Sequence, residues 1–264
     1  MKKLFAFVLT VLLVLPFSAC GNDSLKANPL SEFLYIINDN GQALIKEYIG
    51  DSKTVIIPEE IDGNPVMAIQ IGAFTRKNVE KVVMPSQMLN IQPMAFSFCY
   101  DLEEVIFNDS LSYIQDLAFY RCTALEEIRL PEGLTFLGEN AFMYCRSLKK
   151  VYITKNIDTW YGSVFYGCPL TSVIFENGIK KIGSYASFCP ISKLKNVVIP
   201  PSVDTIVDYS FNSGLESVTF LGDAPQDVEF PFDENTIIYY RKNASGWEDT
   251  PLREKYTLIE FNLF

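Results

Sequence analysis

Short strings in which apolar and polar residues alternate recur along most of the chain. The clearest copies occupy residues 102–107 (LEEVIF), 125–130 (LEEIRL) and 148–153 (LKKVYI), and weaker ones occupy 79–84, 170–175, 194–199 and 215–220. In a strand, the valine or isoleucine of each string and the second residue after it would face one side, and the residue between them the other. We therefore predict one short strand at each string.

A fixed set of apolar residues follows each string, and the whole unit recurs about every 23 residues. Nine residues beyond the strand valine or isoleucine stand Ile91, Ile114, Leu137, Trp160, Ile182 and Ile206. A phenylalanine comes next in each unit, at Phe74, Phe96, Phe119, Phe142, Phe165, Phe188 and Phe211. One such unit cannot bury its apolar face alone, whereas units stacked ~4.8 Å apart form one continuous core. The pattern predicts a solenoid of about seven coils, α/β or mainly β, with parallel strands and short helical turns.

Different patterns flank the repeats. Residues 33–48 form two alternating runs around Asp39-Asn40-Gly41, which predicts a β-hairpin that covers the first coil. After Leu221 the repeat register is lost, and an aromatic, β-rich segment follows up to Phe264. We therefore divide this part of the chain into an N-terminal capping region at 31–66, repeats at 67–221 and a C-terminal cap at 222–264.

The first residues resemble a targeting segment. Lys2 and Lys3 precede an apolar run at 4–15 that is too short to span a bilayer, and small residues follow it. The string Phe17-Ser18-Ala19-Cys20 resembles a bacterial lipobox, in which the cysteine becomes lipid-modified after cleavage. We predict a signal peptide at 1–19, lipid attachment at Cys20 and a polar tether at 20–30, which would anchor the protein to a membrane. An ordinary secretory signal followed by a chance cysteine is the alternative.

Composition and charge exclude several classes of function. The chain has no histidine, which excludes Ser-His-Asp and Cys-His catalysis and the usual histidine metal sites. Its formal net charge is −10, and loss of Lys2 and Lys3 with the leader would make it −12. Such a surface repels phosphate backbones, so we expect no nucleic-acid partner. Carboxylate-only chemistry, such as that of a glycosidase pair, remains open. We predict no cofactor and no metal.

The repeats resemble a known family. The pattern L-x-x-V-x-I-P, then x-x-L-x-x-I-G, then x-x-A-F-x-x-C is similar to the BspA-like class of bacterial leucine-rich repeats, with its clearest copy at 125–145. The similarity extends from about Ile56 to Leu221, with local departures at Trp160-Tyr161 and Cys189. It implies a leucine-rich-repeat solenoid at the bacterial cell surface, on the outer or the plasma membrane, that acts by adhesion or protein interaction. It implies no catalytic residues.

The outward side of the strands provides the candidate binding face. The middle residue of each V-x-I string points away from the core. These residues, called the strand row below, are Val83, Ile106, Arg129, Tyr152, Ile174, Val198 and Thr219. The strand row is unusually apolar for a solvent face and has an arginine and a tyrosine, both favoured at binding hot spots, at its centre. Two alternatives are that these β-branched residues only stabilise the sheet, or that a cap covers them.

Two other residue sets favour structural roles. Cys99, Cys122, Cys145 and Cys168 would stack on successive coils as buried free thiols, because parallel side chains suit disulfides poorly. Glu103, Glu104, Glu126 and Glu127 form a ladder typical of a solvated face, and Glu127 should pair with Lys150. Tyr120, Tyr144 and Tyr166 lie near the turns, where partial burial is favoured over sugar stacking.

We therefore predict a non-catalytic adhesion protein of the cell envelope that binds a protein or extracellular-matrix ligand. A glycan-binding accessory lipoprotein and a carboxylate enzyme are the alternatives.

Overall fold

The computed structural model describes residues 26–157, 159–160, 162–183, 188, 193–207, 209–211, 214–228 and 231–262. The predicted leader, the predicted lipid-attachment residue Cys20, and Tyr161 and Cys189 lie outside these residues. Among the described residues, no helix has both the length and the apolar character needed to cross a bilayer.

A hairpin begins the folded region, as the sequence predicts. Strands β1 (Phe33–Ile37) and β2 (Ala43–Tyr48) pair antiparallel. Their connection is closed by the side chain of Asn38, whose Oδ1 accepts bonds from the backbone N–H groups of Asn40 and Gln42 at 3.1 and 3.0 Å. Gly41 takes the left-handed conformation (φ +66°) that this tight turn requires. A single turn of 3-10 helix (Leu30–Glu32) precedes the hairpin.

Short strands then alternate between two sides of the molecule. They are β3 (Thr54–Ile56), β4 (Glu60–Ile61), β5 (Asn64–Ile69), β6 (Lys81–Val83), β7 (Asn90–Ile91), β8 (Glu104–Ile106), β9 (Tyr113–Ile114), β10 (Glu127–Arg129), β11 (Phe136–Leu137), β12 (Lys150–Ile153), β13 (Thr159–Trp160), β14 (Ser172–Phe175), β15 (Lys181–Ile182), β16 (Asn196–Ile199), β17 (Thr205–Ile206), β18 (Ser217–Phe220), β19 (Ile237–Arg241) and β20 (Thr257–Phe261). A second 3-10 turn (Pro251–Glu254) lies before β20.

The pairing of these strands makes a solenoid. One side carries the sheet β1-β2-β5-β7-β9-β11-β13, with β4 on the edge of β5, and the pair β15-β17. The other side carries β3-β6-β8, β10-β12-β14 and β16-β18-β19-β20. Outside the hairpin and the β4–β5 pair, the pairings are parallel, as the sequence predicts. Each regular coil therefore supplies one strand to each side and a turn between them.

The turns differ from the expected short helices. Within one turn, the backbone N–H groups of Ala95, Ser97 and Cys99 bond three residues back, but those of Phe96 and Phe98 bond to carbonyls of the next coil. Met94 and Phe98 adopt positive φ values of 59° and 62°. Left-handed residues end a right-handed helix, so the chain forms linked tight turns that also join the coils.

A continuous aromatic core connects the coils. The phenylalanines of the repeats, called the phenylalanine spine below, are Phe74, Phe96, Phe119, Phe142, Phe165, Phe188 and Phe211, and all are fully buried. Successive rings stack with centroids 4.7–5.8 Å apart. Tyr48 of the hairpin stacks on Phe74 at 5.1 Å, and Phe232 contacts Phe211 at 5.8 Å. The hairpin and the C-terminal segment thus pack on the two ends of one core.

The solenoid has about nine turns, more than the seven expected. Ile56 of β3 pairs with Val83 before the first expected strand, and Tyr239 of β19 pairs with Thr219 after the last. The sequence spacing changes at both ends, from about 23 residues between strands to 27 and 20. A fixed period therefore misses the outermost coils, although their strands continue the same sheets.

Candidate binding surface

The strand row lies on one side of the solenoid, where the parallel register places its members beside one another. Arg129 pairs with Tyr152, Tyr152 with Ile174, and Val198 with Thr219. The residues before and after each member point inward, and Ile128, Val151 and Ile153 are buried. The sequence period of two therefore assigns the outward positions correctly.

Exposure divides the strand row into two parts. Ile106 (39% exposed) and Arg129 are open to solvent, and Val83, Tyr152 and Ile174 are half-buried. Val198 and Thr219 are only 8% and 3% exposed. In the sheet, Thr219 is flanked by Val198 and by the larger Tyr239. The expectation that the whole row is open is therefore wrong at its C-terminal end.

A charged aromatic cluster occupies the middle of the strand row. The Arg129 guanidinium carbon lies 3.5 Å from the centroid of the Tyr152 ring, and Lys150 Nζ lies 4.6 Å from it. Glu127 pairs with Arg129 at 3.1 Å and with Lys150 at 3.7 Å. Cation–π and exposed ionic contacts each contribute only about 0.5–1 kcal/mol, so the cluster orders side chains more than it stabilises the fold. It presents two cations, one carboxylate and one aromatic ring.

The sequence analysis does not identify Lys150 as part of this cluster. It predicts only the pairing of Lys150 with Glu127, which the structure confirms. Lys150 and Tyr152 are two residues apart on one strand, so they share a face. The two-residue spacing could therefore have predicted the contact between Lys150 and the Tyr152 ring.

The sequence comparisons identify the family. Six copies of the BspA type leucine-rich repeat region match residues 67–189 and 163–229, which together cover more than half of the chain. This protein belongs to the BspA type leucine-rich repeat family. No curated protein matches its sequence.

Solved structures of leucine-rich repeat proteins resemble this family member. One from T. pallidum is 23% identical, with a TM-score of 0.53 over 74% of this chain and 86% of that one. One from Bacteroides ovatus is 20% identical, with a TM-score of 0.43 over 91% of this chain and 76% of that one. One from Bacteroides capillosus is 24% identical, with a TM-score of 0.42 over 58% of this chain and 100% of that one. At this identity, the T. pallidum match shows a shared fold.

The repeat cysteines are buried free thiols, as predicted. Cys99, Cys122, Cys145 and Cys168 are at most 1% exposed. Each Sγ donates a hydrogen bond to the carbonyl of the spine phenylalanine one coil earlier; for Cys122 and the Phe96 carbonyl the distance is 3.1 Å. Burial raises the pKa of the Cys99 thiol to about 12, and it raises the pKa of the Cys122 and Cys145 thiols well above their ordinary value. Protonated thiols of this kind link coils and react poorly.

Two glutamates of the ladder, Glu104 and Glu126, pair with lysines of adjacent coils. Glu104 lies 2.6 Å from Lys81 Nζ, and Glu126 lies 3.0 Å from Lys149 Nζ. All four side chains in these two pairs are about one third exposed or more. Such pairing is typical of a solvated face. Among the described residues, no three Cys, Asp or Glu side chains cluster as metal ligands would.

Proposed function

We propose that this protein is a non-catalytic binding protein of the bacterial cell envelope, and that it binds a protein partner through the open part of the strand row. The observation that carries the proposal is the cluster of Arg129, Lys150 and Tyr152 in a row with the exposed Ile106 and the half-buried Ile174. Arginine and tyrosine next to an apolar surface are the residue types that concentrate binding energy at protein interfaces. The contact site then comprises Val83, Ile106, Arg129, Tyr152 and Ile174, without the two buried residues.

The shape of the surface supports the same function. Side chains from successive strands form an extended, nearly regular surface, which suits a macromolecule more than a small molecule. A ring in contact with two cations favours a partner segment that carries carboxylates beside apolar groups. An acidic-apolar protein surface has this chemistry.

The binding proposal is tested on an array of extracellular-matrix proteins and glycans, with purified protein and two variants. We expect Tyr152→Ala and Arg129→Glu each to weaken capture of the same protein at least tenfold. The matched controls are Tyr113→Ala and Arg241→Glu, which alter an exposed tyrosine on the other side and an exposed arginine near the C-terminal end. Equal loss with the controls, or no loss with the first two variants, would place the site elsewhere.

The envelope location rests on the leader and on Cys20. We propose that Cys20 carries the lipid anchor and that the coils project from the membrane on the polar tether. In cells that express Cys20→Ala, the protein should move from the membrane fraction to the soluble fraction and lose incorporation of labelled fatty acid. Membrane retention of this variant would refute the anchor without affecting the binding proposal.

A further inference from the structure

A second exposed column runs along the turns, on neither of the two strand sides. Two residues after each spine phenylalanine of the regular coils stand Arg76, Phe98, Arg121 and Tyr144. Their backbone N–H groups bond to the following coil, at 2.8 Å from Phe98 N to the Tyr120 carbonyl. Tyr120 and Arg146 lie in contact with this column. The six residues are called the turn ridge below.

Rings and guanidinium groups alternate along the turn ridge. The Phe98 and Tyr120 ring centroids lie 5.2 Å apart, and those of Tyr120 and Tyr144 lie 6.0 Å apart, both edge to face. The Arg121 guanidinium carbon lies within 6.0 Å of all three ring centroids, at 5.4 Å from Tyr120 and 5.5 Å from Tyr144. Arg76 lies 5.4 Å from Phe98, and Arg146 lies 5.8 Å from Tyr144. The three arginines and the rings therefore form one continuous series of contacts.

Within the described part of the chain, no ion pair within 4.0 Å involves Arg76, Arg121 or Arg146, whereas Arg129 and Arg253 both have one. All three arginines of the turn ridge are exposed to solvent. A guanidinium that stacks on a ring keeps its N–H edge available for a planar anion. A chain with a formal charge of −10 thus carries a local strip of unpaired positive charge.

The backbone repeats one conformation along this column. Arg76, Phe98, Arg121 and Tyr144 have φ values of 60°, 62°, 59° and 60°. Glycine is the residue that adopts this conformation without strain, and Gly167 does so in the next coil (φ +76°). The same conformation recurs two residues before the spine phenylalanines, at Met94, Leu117 and Asn140, so it is a feature of the turn in each regular coil.

We propose that the turn ridge binds a linear acidic polysaccharide in which uronate and neutral sugars alternate. Arg76 and Arg121 are two coils apart, roughly 10 Å at the usual strand spacing. Their guanidinium groups match carboxylates that recur along one side of such a polymer. The Phe98 ring between them and the neighbouring Tyr100 ring (51% exposed) offer apolar surface to the C–H faces of the sugars. This site is separate from the strand row.

Single-stranded nucleic acid also uses arginine and aromatic contacts. Its phosphates, however, are dense, and the net charge of −10 opposes their approach. A polymer with fewer charges, spaced like the arginines, fits the turn ridge better.

The test is calorimetric titration of the purified protein with hyaluronan oligosaccharides at low salt. We expect binding that weakens as salt rises, and no binding of the same oligosaccharides after their carboxylates are reduced to alcohols. Arg121→Gln should weaken binding at least tenfold, and Arg76→Gln about threefold. Arg241→Gln, which removes an exposed arginine at the end of β19, should leave it unchanged.

Thermal unfolding of each variant separates loss of the site from loss of the fold. If Arg121→Gln unfolds early, the double variant Arg76→Gln/Arg146→Gln replaces it, with the same tenfold loss expected. Absence of hyaluronan binding, equal binding of the reduced oligosaccharide, or equal loss with Arg241→Gln would overturn the proposal. Tighter binding of poly(U) than of hyaluronan would assign the turn ridge to nucleic acid instead.

Discussion

The phenylalanine spine and the turn ridge are two aromatic columns built by the same turns, a few residues apart in sequence. Inside, the rings of Phe96, Phe119 and Phe142 lie almost parallel, with interplanar angles of 2° and centroids 5.1 and 5.0 Å apart. Outside, the rings of Phe98 and Tyr120 meet at 88°. The inner rings are fully buried, whereas the outer ones are partly exposed and contact arginines.

Burial explains the difference. An inner ring is covered on both faces by its copies in the adjacent coils, so the coil spacing fixes its orientation and its residue type. A guanidinium cannot enter that column, because burying an unpaired charge is costly. Outside, water solvates the arginine, and rings and cations can alternate from coil to coil. The spine therefore encodes the fold, whereas stacking between coils does not fix the residue types of the turn ridge.

The largest expected effect comes from breaking the spine. Phe119→Ala leaves a cavity between two stacked rings, so we expect the free energy of unfolding to fall by about 3–5 kcal/mol. Tyr120→Ala, one residue away on the turn ridge, should cost about 1 kcal/mol or less, because the site is partly solvated. Urea unfolding followed by circular dichroism measures both. Similar losses at the two positions would contradict the distinction between the columns.

The phenylalanine spine could be predicted from the sequence because each coil places the same residue type at the same position. A period of about 23 residues places phenylalanine, cysteine and the strand valines in the core without any knowledge of distances. The turn conformation could not be read this way, because Met94 and Phe98 give no local signal for positive φ. The outermost coils were missed because the period changes before β6 and after β18.

The candidate surfaces were predicted less completely than the core. Alternation along a strand identifies the strand row and its pairs, since that depends only on the period of two. Thr219 is flanked by Tyr239 of β19, a strand that lies outside the repeat, so its burial could not be read from the repeat pattern. Arg121 contacts three rings, two of which come from adjacent coils. Residue spacing within one coil does not predict such contacts between coils.

A smaller effect should appear in the pH dependence of the free energy of unfolding, through the buried Cys99 thiol that bonds to the phenylalanine spine. The Cys99 thiol has an ordinary pKa of about 9, and burial raises it to about 12 in the folded protein. A raised folded pKa gives stability that is complete below the unfolded pKa and is lost as pH rises toward the folded pKa. One such group should lower the free energy of unfolding by about 1.4 kcal/mol between pH 7 and pH 10.

This loss is measured by urea unfolding at both pH values, for the original protein and for Cys99→Ala. The variant has a lower free energy of unfolding at pH 7. Between pH 7 and pH 10, however, its free energy of unfolding should fall by about 1.4 kcal/mol less than that of the original protein. Tyrosines and lysines titrate in both proteins, so their contribution cancels. Equal decreases in the two proteins would show that Cys99 is not protected by the core.

The smallest effect distinguishes two kinds of position within the turn ridge itself. Tyr144 has φ +60°, whereas Tyr120 lies at negative φ. Replacing either tyrosine by glycine or by alanine removes the same ring, so the difference in stability between the two variants at one position reports the effect of the backbone alone.

At position 144, the glycine variant should be more stable than the alanine variant by about 1 kcal/mol, because alanine keeps the left-handed strain. At 120, alanine should be more stable than glycine by about 0.5–1 kcal/mol, because glycine only adds freedom to the unfolded chain. Urea unfolding of the four variants would reveal this reversal of sign. The same sign at both positions would mean that the turn does not enforce the left-handed conformation at 144.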